Sequence, residues 1–68
     1  MNKQLEDFAR KTIKDGLDKL PEGCCDLFKK MYGKIDMDIH DVVDKMSVEK
    51  LENAMDQVER TLIKFGIR

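Results

Sequence analysis

The stretch from Ser47 to Gly66, SVEKLENAMDQVERTLIKFG, decides how the rest of the chain is read. Val48, Leu51, Met55, Val58, Leu62 and Phe65 recur at steps of three and four residues, the spacing of one face of an α-helix. Ala54 and Ile63 widen that stripe beyond a two-position coiled-coil seam. Ser47 is a good N-cap, Glu49 lies in the first turn where the helix dipole favours an acid, and Gly66 closes the segment. A helix is therefore predicted over 48–65.

The same arithmetic extends toward the N-terminus. Asp38 is a cap residue, and Ile39, Val42, Val43 and Met46 share a face, which predicts a short helix over 39–46. Residues 34–37 are a connector that could run extended, but four residues cannot build a sheet. Before it, Cys24, Leu27, Phe28 and Met31 define a face of a helix over 22–32, with Pro21 suited to its first turn. Lys29 and Lys30 complement the end of its dipole, and Gly33 is a natural C′ residue.

The first helix is expected over 3–19. Asn2 caps it, Glu6 and Asp7 sit near its start, and Leu5, Phe8, Ala9, Ile13, Leu17 and Leu20 form its stripe. Glu6–Arg10, Asp7–Lys11 and Asp15–Lys19 are i,i+4 acid-to-base pairs worth a few tenths of a kcal/mol each. Gly16 is the flaw, costing about 1 kcal/mol against Ala inside a helix. Leu20-Pro21 ends the segment, because a residue before proline avoids the α region.

Four helices follow, long, short, short and long, with stripes that must be covered. Burying one Leu or Phe is worth about 1.5–3 kcal/mol, so the expected fold is a compact all-α four-helix bundle with no sheet. At 68 residues it is a single domain over 1–68. The surface scaling rule gives such a chain a folded area of roughly 4,400 Å², with about 60% of the unfolded surface buried. A bundle that small need not cover every apolar position, and Ile35, Met37 and Ile67 are left over from the stripes.

Composition narrows the function classes. The chain is 41% hydrophobic and 40% charged, with 13 Lys+Arg against 14 Asp+Glu and a net charge of −1. It is neither a disordered polyelectrolyte nor a basic nucleic-acid-binding tail. Apolar runs are too short for a membrane span or a secretory signal, so a cytoplasmic location is expected. Residues 1–34 carry eight basic and six acidic side chains, and residues 35–68 carry five and eight. This polarity, +2 against −3, would orient two antiparallel copies more than bind them.

Candidate chemistry is sparse. Cys24 and Cys25 are adjacent, an arrangement that resists a mutual disulfide and fits reduced thiols that behave as small hydrophobes. A zinc site needs four ligands, and His40 alone could join the thiols from the soft set. A Cys–His nucleophile pair would use the same three residues. Asp36, Asp38, Asp41 and Asp44 start like a calcium loop, but position six is Asp41 where Gly is required and position twelve is Ser47 where Glu is required. No phosphate loop or hydrolase motif occurs, and a 68-residue bundle is expected to have little volume for a pocket of ~300 Å³. The expectation is thus a protein that is not an enzyme and has no metal, cofactor or small-molecule substrate. It would act by protein–protein interaction, with itself as a homodimer or with another protein.

Two resemblances bear on this. Leu20-Pro21-Glu22, Leu27-Phe28, Tyr32, Asp41-Val42-Val43 and Ser47-Val48 look like the helix-turn-helix of sigma-factor region 4, over residues 20–62. That resemblance implies a DNA-binding regulator whose recognition helix starts at Ser47. The chain departs from the pattern in a short gap between Val42 and Ser47 and in Lys45-Met46, where the family has Gly. A recognition helix over 47–64 would also carry net −1 and repel phosphate. Separately, Leu20-Pro21-Glu22-Gly23, Asp26-Leu27-Phe28-Lys29-Lys30-Met31-Tyr32, Asp41-Val42-Val43-Asp44-Lys45-Met46 and Glu49-Lys50-Leu51-Glu52-Asn53-Ala54-Met55 are similar to short open reading frames of phages and prophages of enteric bacteria. That similarity, over residues 5–64, implies an intracellular phage-type origin and assigns no site residue.

Overall fold

The computed structural model describes residues 2–67. It contains α1 (Lys3–Asp18), α2 (Glu22–Tyr32), α3 (Ile39–Lys45) and α4 (Val48–Lys64), and no strand among the described residues. All four helices start where the caps place them. Asn2 Oδ1 accepts the Leu5 N–H at 2.8 Å, and the Asp38 side chain accepts the His40 N–H at 2.9 Å. Ser47 holds the extended backbone of an N-cap, but its hydroxyl makes no capping bond. Pro21 sits at the N-cap of α2, one residue before the first turn that its ring would also suit.

Three helices end one residue sooner than the stripes suggest, because Lys19, Met46 and Phe65 are C-caps. The Lys19 N–H reaches back to the Gly16 carbonyl at 3.1 Å, a tightened last turn before the proline. At α4 the Ile67 N–H bonds the Leu62 carbonyl and the Gly66 N–H bonds the Ile63 carbonyl. With Gly66 at φ +72° this is a Schellman closure. Gly33 is different: it is the C-cap itself, in extended backbone, and a Cβ there would lie 2.9 Å from Val42 Cγ2. Its lack of a side chain lets the end of α2 approach α3. Residues 34–37 turn, with the Met37 N–H on the Lys34 carbonyl, and do not run extended.

α1 is the hub, packing on both α4 and α3, while α2 rests on α3. Ile13, Leu17, Val42, Val43 and Leu51 are the largest side chains removed completely from water, and Ala9, Leu20, Phe28, Met46, Ala54, Val58 and Leu62 complete the core around them. The close contact of α1 with α4 is made at Gly16. A Cβ on it would lie 2.4 Å from Val58 Cγ1, so the residue that weakens α1 as an isolated helix permits the packing of the folded one.

Polar contacts fix α3 against α1 on a stripe of residues four apart. The Arg10 guanidinium donates to the Val43 carbonyl and, at 2.9 Å, to the Met46 carbonyl, filling the open end of α3. Glu6 Oε1 holds it from the other side at 2.7 Å. One turn on, Lys14 pairs with Asp44 at 2.5 Å, and after another turn His40 Nε2 lies 2.8 Å from Asp18 Oδ1. Of the pairs expected along α1, Glu6–Arg10 forms; Lys11 turns forward to Asp15 at 3.1 Å, so Asp7–Lys11 and Asp15–Lys19 do not.

Candidate functional site: the groove between the first and fourth helices

The residues with chemical potential are dispersed. The Cys25 thiol donates to the Leu17 carbonyl at 3.3 Å, and both thiols are free and half-buried. Burial pushes the Cys25 pKa up from its ordinary 9.0, and neighbouring Cys24 adds to the push; Lys29 opposes it and Asp18 and Asp26 reinforce it. A thiol held protonated at neutral pH is a poor nucleophile. His40 makes its contact with Asp18 and is hydrogen-bonded to neither thiol, so the structure does not assemble a Cys–His pair. The acidic run is drawn apart by separate tasks, with Asp38 capping α3 and Asp44 bound to Lys14. Among the described residues, no three His, Cys, Asp or Glu side chains gather closely enough to share a cation. No helix of the described chain is long and apolar enough to cross a membrane.

What the structure does build is apolar surface. Leu5, Phe8, Leu27, Met31, Val48 and Phe65, all on the expected stripes, are exposed, as are Ile35, Ile63 and Ile67. The stripes identify the correct side of each helix but overrun the neighbours that could cover it. α2 is flanked mainly by α3 and touches α4 through Gln57, so Leu27 and Met31 stay more than half exposed. Leu5 and Phe8 belong to the first turns of α1, next to Ala9, where its buried stretch begins.

Part of this surface is concave. A groove of about 430 Å³ runs between α1 and α4, contrary to the expectation that so small a bundle would lack such a volume. Ile13, Gly16, Val58 and Leu62 lie along its length. Phe8, Met55 and Ile67 add apolar walls, and Thr12, Asp15, Lys19 and Glu59 a polar edge. A second, much smaller hollow of about 50 Å³ lies between α2 and α4, bordered by Leu20, Cys24, Leu27 and Gln57. Gln57 is anchored there, accepting from the Tyr32 hydroxyl at 3.0 Å while its amide approaches Met31 Sδ at 3.2 Å. Tyr32 in turn lies against Phe28, ring centroids 4.6 Å apart.

The groove has no signature in the sequence. Its two walls come from segments some 40 residues apart. The chain matches no family model, no curated protein and no solved structure.

Proposed function

We propose that this is a non-enzymatic helical domain that acts by binding protein, either a second copy of itself or another protein. One observation carries the reading: nine large apolar side chains stay in solvent around a core that has no unsatisfied buried side-chain polar atom among the described residues. Met31 and Met55, one beside each hollow, are flexible side chains suited to adaptable contacts. The free thiols fit a reducing, cytoplasmic setting, and the phage-type resemblance makes a host or phage protein the partner if it is not a second copy.

DNA binding has weaker support. The solvent side of α4 carries Glu49, Glu52, Asp56 and Glu59, and its Arg60 is already paired with Asp56 at 3.0 Å.

The test combines sedimentation over a concentration series with capture from lysate by the folded chain. Both are run beside a variant in which Leu5, Phe8, Leu27 and Ile63 are replaced by Gln. The reading expects concentration-dependent mass, or a partner retained by the natural chain and lost from the variant. A monomer that retains nothing the variant does not also retain contradicts it.

A further inference from the structure

We propose that α2 is a flap: it opens from the rest of the molecule as one unit, hinged at Leu20-Pro21 and at residues 33–37, while α1, α3 and α4 stay folded. The inference goes beyond the protein-binding reading and does not depend on it.

The ties between helices are unevenly shared. α1 holds α3 through the Arg10 guanidinium on the Val43 and Met46 carbonyls, the Lys14–Asp44 pair and the contact of His40 with Asp18. α1 meets α4 in the close approach at Gly16, and each of these two helices buries four residues. Among the described residues no ion pair reaches α2, and of its 11 residues only Phe28 is buried. Its side-chain polar ties to other helices are three. The Cys25 thiol donates to the Leu17 carbonyl at 3.3 Å, the Tyr32 hydroxyl to Gln57 at 3.0 Å, and the Gln57 amide to Met31 Sδ at 3.2 Å. A thiol is a weak donor and a thioether a weak acceptor, so only the Tyr32 tie has ordinary strength. Sparse apolar burial and weak ties mark the segments that open at less cost than the whole fold.

Both ends of α2 suit a hinge. Pro21 stands at its N-cap with no side-chain capping bond. At the other end the chain leaves through Gly33 and a turn in which the Met37 N–H bonds the Lys34 carbonyl. Under the flap lies an apolar bed, with Leu17 and Leu20 from α1 and Val58 from α4 bordering the small hollow that α2 covers. Opening bares this bed together with Phe28. A helix of 11 residues is marginal in water once detached, so its amides lose protection when the flap lifts.

The experiment is native-state amide hydrogen exchange of the full chain, followed by NMR in water and in sub-denaturing urea. The slowest amides of α2 should be at least about tenfold less protected than the slowest of α1 and α4. They should also respond weakly to urea, while those of α1 and α4 follow the full urea dependence of global unfolding. Arg10→Met supplies a second readout, because its bonds lie within the α1–α3 body whether the flap is seated or open. It should lower protection in α1 and α4 by about tenfold or more and leave α2 within about twofold of the natural chain. Ala9→Gly, a milder change in α1, should show the same pattern at a severalfold loss. Equal protection and equal urea response in α1, α2 and α4 overturn the flap, as does a loss in α2 as large as that in α1 with either variant.

Discussion

Replacing Gly16 by alanine sets two opposing effects against each other, and the structure says which prevails. In an isolated helix the change is favourable by about 1 kcal/mol, because alanine removes the backbone entropy that glycine gives up. Here the new Cβ would lie 2.4 Å from Val58 Cγ1 and 3.4 Å from Leu62 Cδ1. An ordinary carbon–carbon contact is about 3.5–4.0 Å, so Val58 must withdraw by roughly 1 Å. Val58 is β-branched, stiff in a helix and 5% exposed, and the strain passes to the α1–α4 spacing. Overpacking of this kind costs about 1–3 kcal/mol, which leaves Gly16→Ala neutral to destabilising by about 2 kcal/mol. Gly23→Ala is the matched control: it lies in the first turn of α2 with nothing within 4 Å of its would-be Cβ, and should gain a few tenths to about 1 kcal/mol. Urea unfolding followed by circular dichroism measures both. Val58→Ala, costly alone, should cost less in the Gly16→Ala background, since it removes the clashing methyl. If Gly16→Ala stabilises as much as Gly23→Ala, the close approach of α1 and α4 is wrong.

Other substitutions probe separate parts of the account. Arg10→Met keeps the aliphatic stem but opens the end of α3; losing charge-assisted bonds to two carbonyls should cost about 2 kcal/mol in urea unfolding. Arg60→Ala, which breaks only the exposed pair with Asp56, should cost under about 0.5 kcal/mol in the same assay. Gly66→Ala places a side chain at φ +72° and should lower stability by about 1 kcal/mol, with the loss of amide protection confined to the end of α4. Cys25 has a raised pKa in the folded chain, so the folded state holds its proton more tightly than the unfolded state does. Its contribution is complete below the ordinary value of 9.0 and is lost as pH climbs beyond that. Stability of the natural chain should therefore fall faster above pH 9 than that of Cys25→Ala; equal alkaline slopes would show the thiol to be unburied.

Local chemistry made much of the fold legible. Cap residues, Pro21 and the three-to-four spacing locate every helix start, because each of those signals acts within a turn or two of chain. The stripes on α1 and α4 likewise name most of the core. What stays hidden depends on partners distant in sequence. Arg10 reads as a surface mate for Glu6 four residues away, yet its stronger role is at carbonyls 33 and 36 residues on. Gly16 reads as a cost until Val58 is seen opposite it. Phe8 and Leu27 share the chemistry of buried neighbours, and periodicity cannot tell where a facing helix runs out. The groove shares this difficulty: its walls come from helices far apart in sequence, and Phe8 and Ile67 along it look like core.

The most direct measurement is a dilution series by NMR on a sample labelled at Ile and Met methyls and at Phe, from about 1 mM to about 20 μM. Signals of exposed apolar side chains, Phe8, Met31, Ile35, Ile63 and Ile67 among them, should move or broaden with concentration or on addition of a protein captured by the folded chain. Spectra unchanged under both conditions would contradict the account.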